Sequence, residues 1–204
     1  TYLFLYIVSS GGFLYSKNLL DYFMQEYLRI VDEILTKGVR KSNRTGVETL
    51  VIDGATFRHD MEEGFPLLTT KKLHVKSVCL ELEFFIGGRT DKRWLQERGC
   101  TIWDEWCNPT KVPYDPDNEG VKQKMHDEPD LGPIYGFQWR HFGAEYRGCE
   151  TDYTGEGIDQ LANAIERLIR NPNDRQVVVS AWNPAQLGEM ALPPCHYSFQ
   201  VTVT

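Results

Sequence analysis

The chain sets a cysteine between a proline pair and a histidine, in Ala191-Leu192-Pro193-Pro194-Cys195-His196-Tyr197. Prolines fix φ and restrict the residue next to them, so the thiol of Cys195 is held rather than left to swing. A neighbouring imidazole helps to keep such a thiol as thiolate, the form that attacks electrophiles. The plain alternative is a small cysteine buried at the entrance to a strand. Two acids, Glu81 and Glu83, lie in an otherwise apolar run. A carboxylate beside apolar surface tends toward a raised pKa, which suits proton transfer near neutral pH, whereas a solvated helix flank does not. Arg44, in the turn Lys41-Ser42-Asn43-Arg44-Thr45-Gly46, could close over an anion bidentately or simply be solvated. Arg175 precedes a buried strand after a tight turn, at an edge, an interface or an ordinary surface. Ile102-Trp103-Asp104-Glu105-Trp106 brings two indoles together with acids, for stacking on a flat heterocycle or for packing a core. Tyr135 brings a phenol into what reads as a glycine-flanked turn, Leu131-Gly132-Pro133-Ile134-Tyr135-Gly136.

Helices and strands must position these groups. Met24, Tyr27, Leu28, Val31, Ile34 and Leu35 recur at helical spacing up to Gly38. Strand-like runs follow around Leu50-Val51-Ile52 and Ala55-Thr56-Phe57. A second helix fits residues 75–86, with Val75, Val78, Cys79, Leu82, Phe85 and Ile86 on one face and Glu81 and Glu83 on opposite flanks of it. Segment 109–130 is polar, acidic and proline-bearing, and reads as a surface insertion. A third helix covers residues 158–170, buried through Ile158, Leu161, Ile165, Leu168 and Ile169, and Asn171-Pro172-Asn173 stops it. Val177-Val178-Val179 reads as a buried strand. A last strand alternates Tyr197, Phe199, Val201 and Val203 against Ser198, Gln200 and Thr202, with no stop signal before Thr204, as in a piece of a longer protein.

At 204 residues the chain is long enough for one domain with a sizeable core. Residues 1–23 read as an extension, and 24–204 as the domain. The formal charge of −7 argues against a duplex nucleic acid or an anionic membrane as partner, but not against a small anion held by a few arginines. Tyr2 to Val8 are apolar but too few to span a bilayer. Five cysteines without a C-x-x-C pair read as free thiols of a cytoplasmic protein, and no Cys/His spacing suggests a metal.

Taken together, these segments resemble thymidylate synthase. The pieces that carry the resemblance are Asn43-Arg44-Thr45-Gly46, Gly64 through Lys72, Thr101 through Trp106, Leu131 through Arg140, Ser180-Ala181-Trp182-Asn183-Pro184 and Met190 through His196. The resemblance implies an α+β domain on a large mixed β-sheet flanked by helices, one sheet face serving dimerisation. It implies reductive methylation of dUMP to dTMP with 5,10-methylenetetrahydrofolate as co-substrate and no metal. A cysteine thiolate adds to carbon 6 of uracil, the resulting enolate attacks the one-carbon unit, and proton loss and hydride transfer give dTMP and dihydrofolate. By position Cys195 is the nucleophile and Glu81 the acid of a proton relay through water, with His196 and Tyr135 in the surrounding hydrogen-bond network. Arg44 holds the dUMP phosphate, and Arg175 reaches the phosphate of the neighbouring subunit of a homodimer. Ile102, Trp103 and Trp106 line the folate site, Lys71 meets the folate's anionic tail, and His74 lies near the folate site.

The chain departs from the family pattern in places. Arg175-Gln176 stands where the family commonly has two arginines, Glu83-Phe84 replaces a usual Leu-Trp, and Val47-Glu48 follows Arg-Thr-Gly. The family's later arginine, asparagine, ribose-binding His and Tyr and closing tail have no counterpart here, so these 204 residues alone are expected not to turn over. A pyrimidine hydroxymethylase of the same superfamily is the nearest rival, and a catalytically inactive dimerisation or regulatory module is a reading of another class. A cysteine hydrolase lacks its accompanying His and Asn/Asp signature.

Overall fold

The computed structural model describes residues 19–42, 47–115 and 117–203. The turn around Arg44 at residues 43–46, expected to hold an anion, and most of the expected 1–23 extension lie outside the described residues. The chain divides into two compact units, the first running up to Leu73 and the second built on His74–Val203.

In the first unit, helix α1 (Leu19–Lys37) leads into strand β1 (Val39–Lys41), which pairs antiparallel with β2 (Thr49–Val51), Val39 facing Val51. The helix starts ahead of Met24 because Leu19-Leu20-Asp21-Tyr22-Phe23 contains no glycine or proline to stop it. Strand β1 was not foreseen: all three of its residues are exposed, so no burial alternation marks it. Ala55-Thr56-Phe57, expected as strand-like, forms no strand.

The second unit holds α2 (Val75–Ile86), α3 (Arg93–Gln96), α4 (Glu119–Asp127), α5 (Tyr135–His141) and α6 (Gln160–Arg170). Strands β3 (Val178–Ser180) and β4 (Ser198–Gln200) pair antiparallel, with Val179 opposite Phe199. The expected mixture of helix and strand is present, and among the described residues its sheets are two small two-stranded ones. Val177, just before β3, and Val179 within it are buried while Val178 is exposed, so the strand has one covered face rather than two.

Three expectations are corrected. Segment 109–130 is not merely a surface insertion: α4 forms within it, capped by Asn118, whose Oδ1 accepts from the Gly120 N–H at 3.0 Å, and Met125 is buried. The presumed turn around Tyr135 is the first turn of α5, and every residue from Leu131 to Trp139 is buried. Its entry rests on Gly132, whose φ of +74° and close approach to the Glu189 carbonyl leave no room for a Cβ. Helix α6 begins at its cap Asp159, which accepts from the Ala162 N–H at 2.9 Å, but Ile158, Ile165 and Ile169 are exposed and only Leu161 and Leu168 are partly covered.

Candidate active site

Helix α2 has the boundaries that its pattern predicts, but it presents another face to the core. Val75, Val78, Leu82 and Ile86, expected inward, are exposed, and so is Cys79. The covered face runs through Ser77, Leu80, Glu81, Phe84 and Phe85, which is also an i, i+3, i+4, i+7, i+8 stripe. Two adjacent phenylalanines bury more apolar area than the smaller Val and Ile side chains can, so they set the register. They carry Glu81 inward with them, while Glu83 stays exposed. The structure thereby separates two carboxylates that periodicity could not.

Partial burial pushes the Glu81 carboxyl above the usual carboxylate range, and the Trp103 indole N–H, donating to Oε1 at 2.7 Å, partly offsets that shift. Trp103 is itself buried, packed edge-on to Phe85 with ring centroids 6.2 Å apart. Phe85 stacks on Tyr135 at 4.6 Å, and His196 stacks on Tyr135 at 4.3 Å. Trp139, one turn along α5 from Tyr135, stands edge-on to Phe85 at 5.8 Å and to Phe199 of β4 at 5.6 Å. This aromatic column joins α2, α5 and the Cys195 loop.

The column ends on Cys195, the expected nucleophile. The Cys195 backbone N–H donates to the Tyr135 hydroxyl at 2.7 Å, while Cys195 itself remains exposed. Pro194 is buried beside it and Pro193 exposed, so the loop is anchored on one side of the thiol. Burial pushes the Tyr135 phenol up to about 12, the Cys195 N–H hydrogen bond opposing, so this hydroxyl stays protonated and free to donate. Desolvation of the His196 ring lowers its pKa below the ordinary imidazole value, although the residue keeps part of its surface in water. His196 stacks on Tyr135, and its lowered pKa makes it a weaker cationic partner for a Cys195 thiolate than an ordinary imidazole.

The remaining expected site residues are spread wider. Ile102 is exposed next to buried Trp103, and Trp106 is partly covered, stacked nearly parallel on Tyr114 at 5.2 Å. An exposed aliphatic side chain beside indoles fits a flat apolar heterocycle. His74 occupies the cap position of α2 without a side-chain capping bond and is exposed. Lys71 belongs to the first unit and is exposed. Arg175 is exposed at the entrance to β3, makes no ion pair among the described residues, and accepts from Gln200 Nε2 through its backbone carbonyl at 3.0 Å. Sequence reasoning missed Phe85 as the stacking partner of Tyr135 and Trp139 as the wall behind His196. The adjacent pair Phe84-Phe85 was the signal that could have found the first.

Comparison with known proteins agrees in extent with this arrangement. The thymidylate synthase family model matches residues 25–204. Thymidylate synthase 1/2 of Encephalitozoon cuniculi is 46% identical over 186 residues, covering 88% of this chain and 59% of its own length. The bifunctional dihydrofolate reductase-thymidylate synthases of Paramecium tetraurelia and Glycine max are 45% and 47% identical, over 87% of this chain and 37% and 32% of their own lengths. The chain thus spans well under two thirds of the curated relatives that it matches. With nearly all of its residues from Gln25 onward matched, the chain belongs to the thymidylate synthase family.

Proposed function

We propose that this chain is the nucleophile-bearing part of an enzyme that converts dUMP to dTMP by reductive methylation. Methylenetetrahydrofolate supplies the one-carbon unit and the hydride and leaves as dihydrofolate. The observation that carries the reading is the single assembly of Cys195, Tyr135 and His196 with Glu81 and Trp103 through one aromatic column. Cys195 Sγ adds to carbon 6 of the pyrimidine, which makes carbon 5 nucleophilic, and leaves again once carbon 5 has lost its proton. Glu81, with its raised pKa, holds or passes a proton near neutral pH, relayed through water to the ring. Tyr135 fixes the Cys195 backbone and keeps its own proton for the substrate side. Ile102, Trp103 and Trp106 offer the apolar and indole surface for the pterin.

Arg44 and Arg175 are the phosphate ligands of this proposal, Lys71 meets the folate tail, and His74 belongs near the folate site. Arg175 acts across a homodimer whose shared surface is a larger sheet continuing the β3–β4 pair; exposed Val178 and Trp182 support such a covered face. Five free cysteines fit a cytoplasmic setting. The test is absorbance-monitored dihydrofolate formation by the full natural protein given dUMP and methylenetetrahydrofolate. Stoichiometric dihydrofolate supports the synthase; a modified pyrimidine made without dihydrofolate would mean a hydroxymethylase instead.

A further inference from the structure

Lys92 is fully buried, which is costly for a charged group. Its ammonium donates to three backbone carbonyls, Asp104 O at 3.1 Å, Trp106 O at 2.8 Å and Met125 O at 2.6 Å. An ammonium has three donors, so every one is used, and no carboxylate lies within ion-pair distance among the described residues. Two of the acceptors belong to the turn that carries Trp103 and Trp106, and the third belongs to α4. The same segment reaches that turn a second time, where Tyr114 stacks on Trp106 at 5.2 Å. His126 of α4 also approaches Asp104, at 3.7 Å.

We propose that Lys92 is a positioning residue for the folate side of the site, a bolt that fastens the Trp103–Trp106 turn to α4 and makes segment 109–130 the buttress of that turn. This inference rests on the folate role proposed for Ile102, Trp103 and Trp106. The carbonyls converge on the ammonium from two separate segments, so the bolt ties together elements that share no strand or helix. A guanidinium, with donors fixed in one plane, cannot serve three acceptors arranged around a tetrahedral nitrogen.

The test compares Lys92→Met, which keeps bulk and removes the donors, and Lys92→Arg, which keeps charge, with the unaltered full natural protein. Amide hydrogen exchange is followed through residues 103–107 and 119–127, together with KM for methylenetetrahydrofolate and the Kd for dUMP. Faster exchange in both stretches is expected for both variants. KM for the folate should rise about tenfold, the size that losing a buried hydrogen bond to a charged group brings, with dUMP binding unchanged. Exchange unchanged at 103–107, or folate and dUMP weakened in parallel, overturns the proposal. Tyr114→Leu, altering an exposed side chain, covers the case in which the Lys92 variants fail to fold: a raised folate KM at constant dUMP affinity supports the buttress, and an unaltered folate KM overturns it. If the unaltered protein forms no dTMP, the reading of the site fails, and the exchange measurement alone decides the bolt.

Discussion

Glu81 faces opposite demands from folding and from chemistry. Burial raises its pKa, so the folded chain holds this proton more tightly than the unfolded chain does, and stability falls as pH rises from the ordinary carboxylate value through the folded one. Glu81→Gln removes that penalty while its amide oxygen can still accept from Trp103. The variant is expected to melt higher than the parent at pH 7, the difference shrinking toward pH 4, and to lose about 10² to 10³ in kcat, the usual weight of a positioned proton-transfer group. Calorimetry against pH and steady-state kinetics check the two halves. Trp103→Phe deletes the hydrogen bond that holds the Glu81 pKa down, so the limb of the kcat/KM profile belonging to Glu81 moves to higher pH. A limb that stays in place detaches Glu81 from the profile. Tyr135→Phe keeps the stack between Phe85 and His196 but leaves the Cys195 N–H without its acceptor. Because Cys195 is exposed and water can substitute, the cost is about 1 kcal/mol in stability, at the lower end for a lost hydrogen bond. The thiol should react faster with a disulfide reagent once its loop is loosened; an unchanged thiol rate would show that the tyrosine does not hold the loop.

Elements decide where those residues point, and here the pattern of the chain was only partly legible. The span of α2 followed from its apolar run and Gly87-Gly88, yet its face did not, because the acid Glu81 and a serine occupy the covered stripe and four aliphatic residues occupy the exposed one. Helix α5 was illegible for another reason. Its seven residues, flanked by glycine and proline signals, are too few for periodicity to register, and tertiary packing buries all but its last two. Asn118 and Asp159 are ordinary caps of α4 and α6, yet a cap alone did not mark α4 out of the polar, proline-bearing segment around it. The entry to α5 has its own test. A methyl at Gly132 would collide with the Glu189 carbonyl and strain a positive φ, so Gly132→Ala should destabilise by about 3 kcal/mol, combining backbone strain with overpacking. Because Tyr135 follows three residues later, the same variant should release the Cys195 loop. Denaturant melts that leave the variant within about 0.5 kcal/mol of the parent, the scatter of harmless surface changes, would mean that the turn re-forms elsewhere.

The chain carries a formal charge of −7 and is proposed to bind two anions, so its phosphate affinity depends on a few placed arginines rather than on its overall field. Arg175 is exposed with no ion pair among the described residues, beside Gln176 rather than a second arginine, which makes it the residue on which the proposed shared site would depend. Subunit mixing tests the sharing directly. Cys195→Ser removes the nucleophile and keeps Arg175; Arg175→Ala keeps the nucleophile and removes the donated guanidinium. Each variant alone should be nearly inactive with dUMP well below saturation. If Arg175 serves the partner's site, a mixed dimer holds one site with both defects and one with neither. Random pairing makes about half of the dimers mixed, each with one working site of two, so equal mixing after dissociation should restore roughly a quarter of the parent activity. If Arg175 serves its own subunit, every site keeps one defect and the mixture stays at the mean of the two variants. Size measurement by light scattering of the same samples separates that result from a protein that does not pair, since only a dimer can exchange subunits.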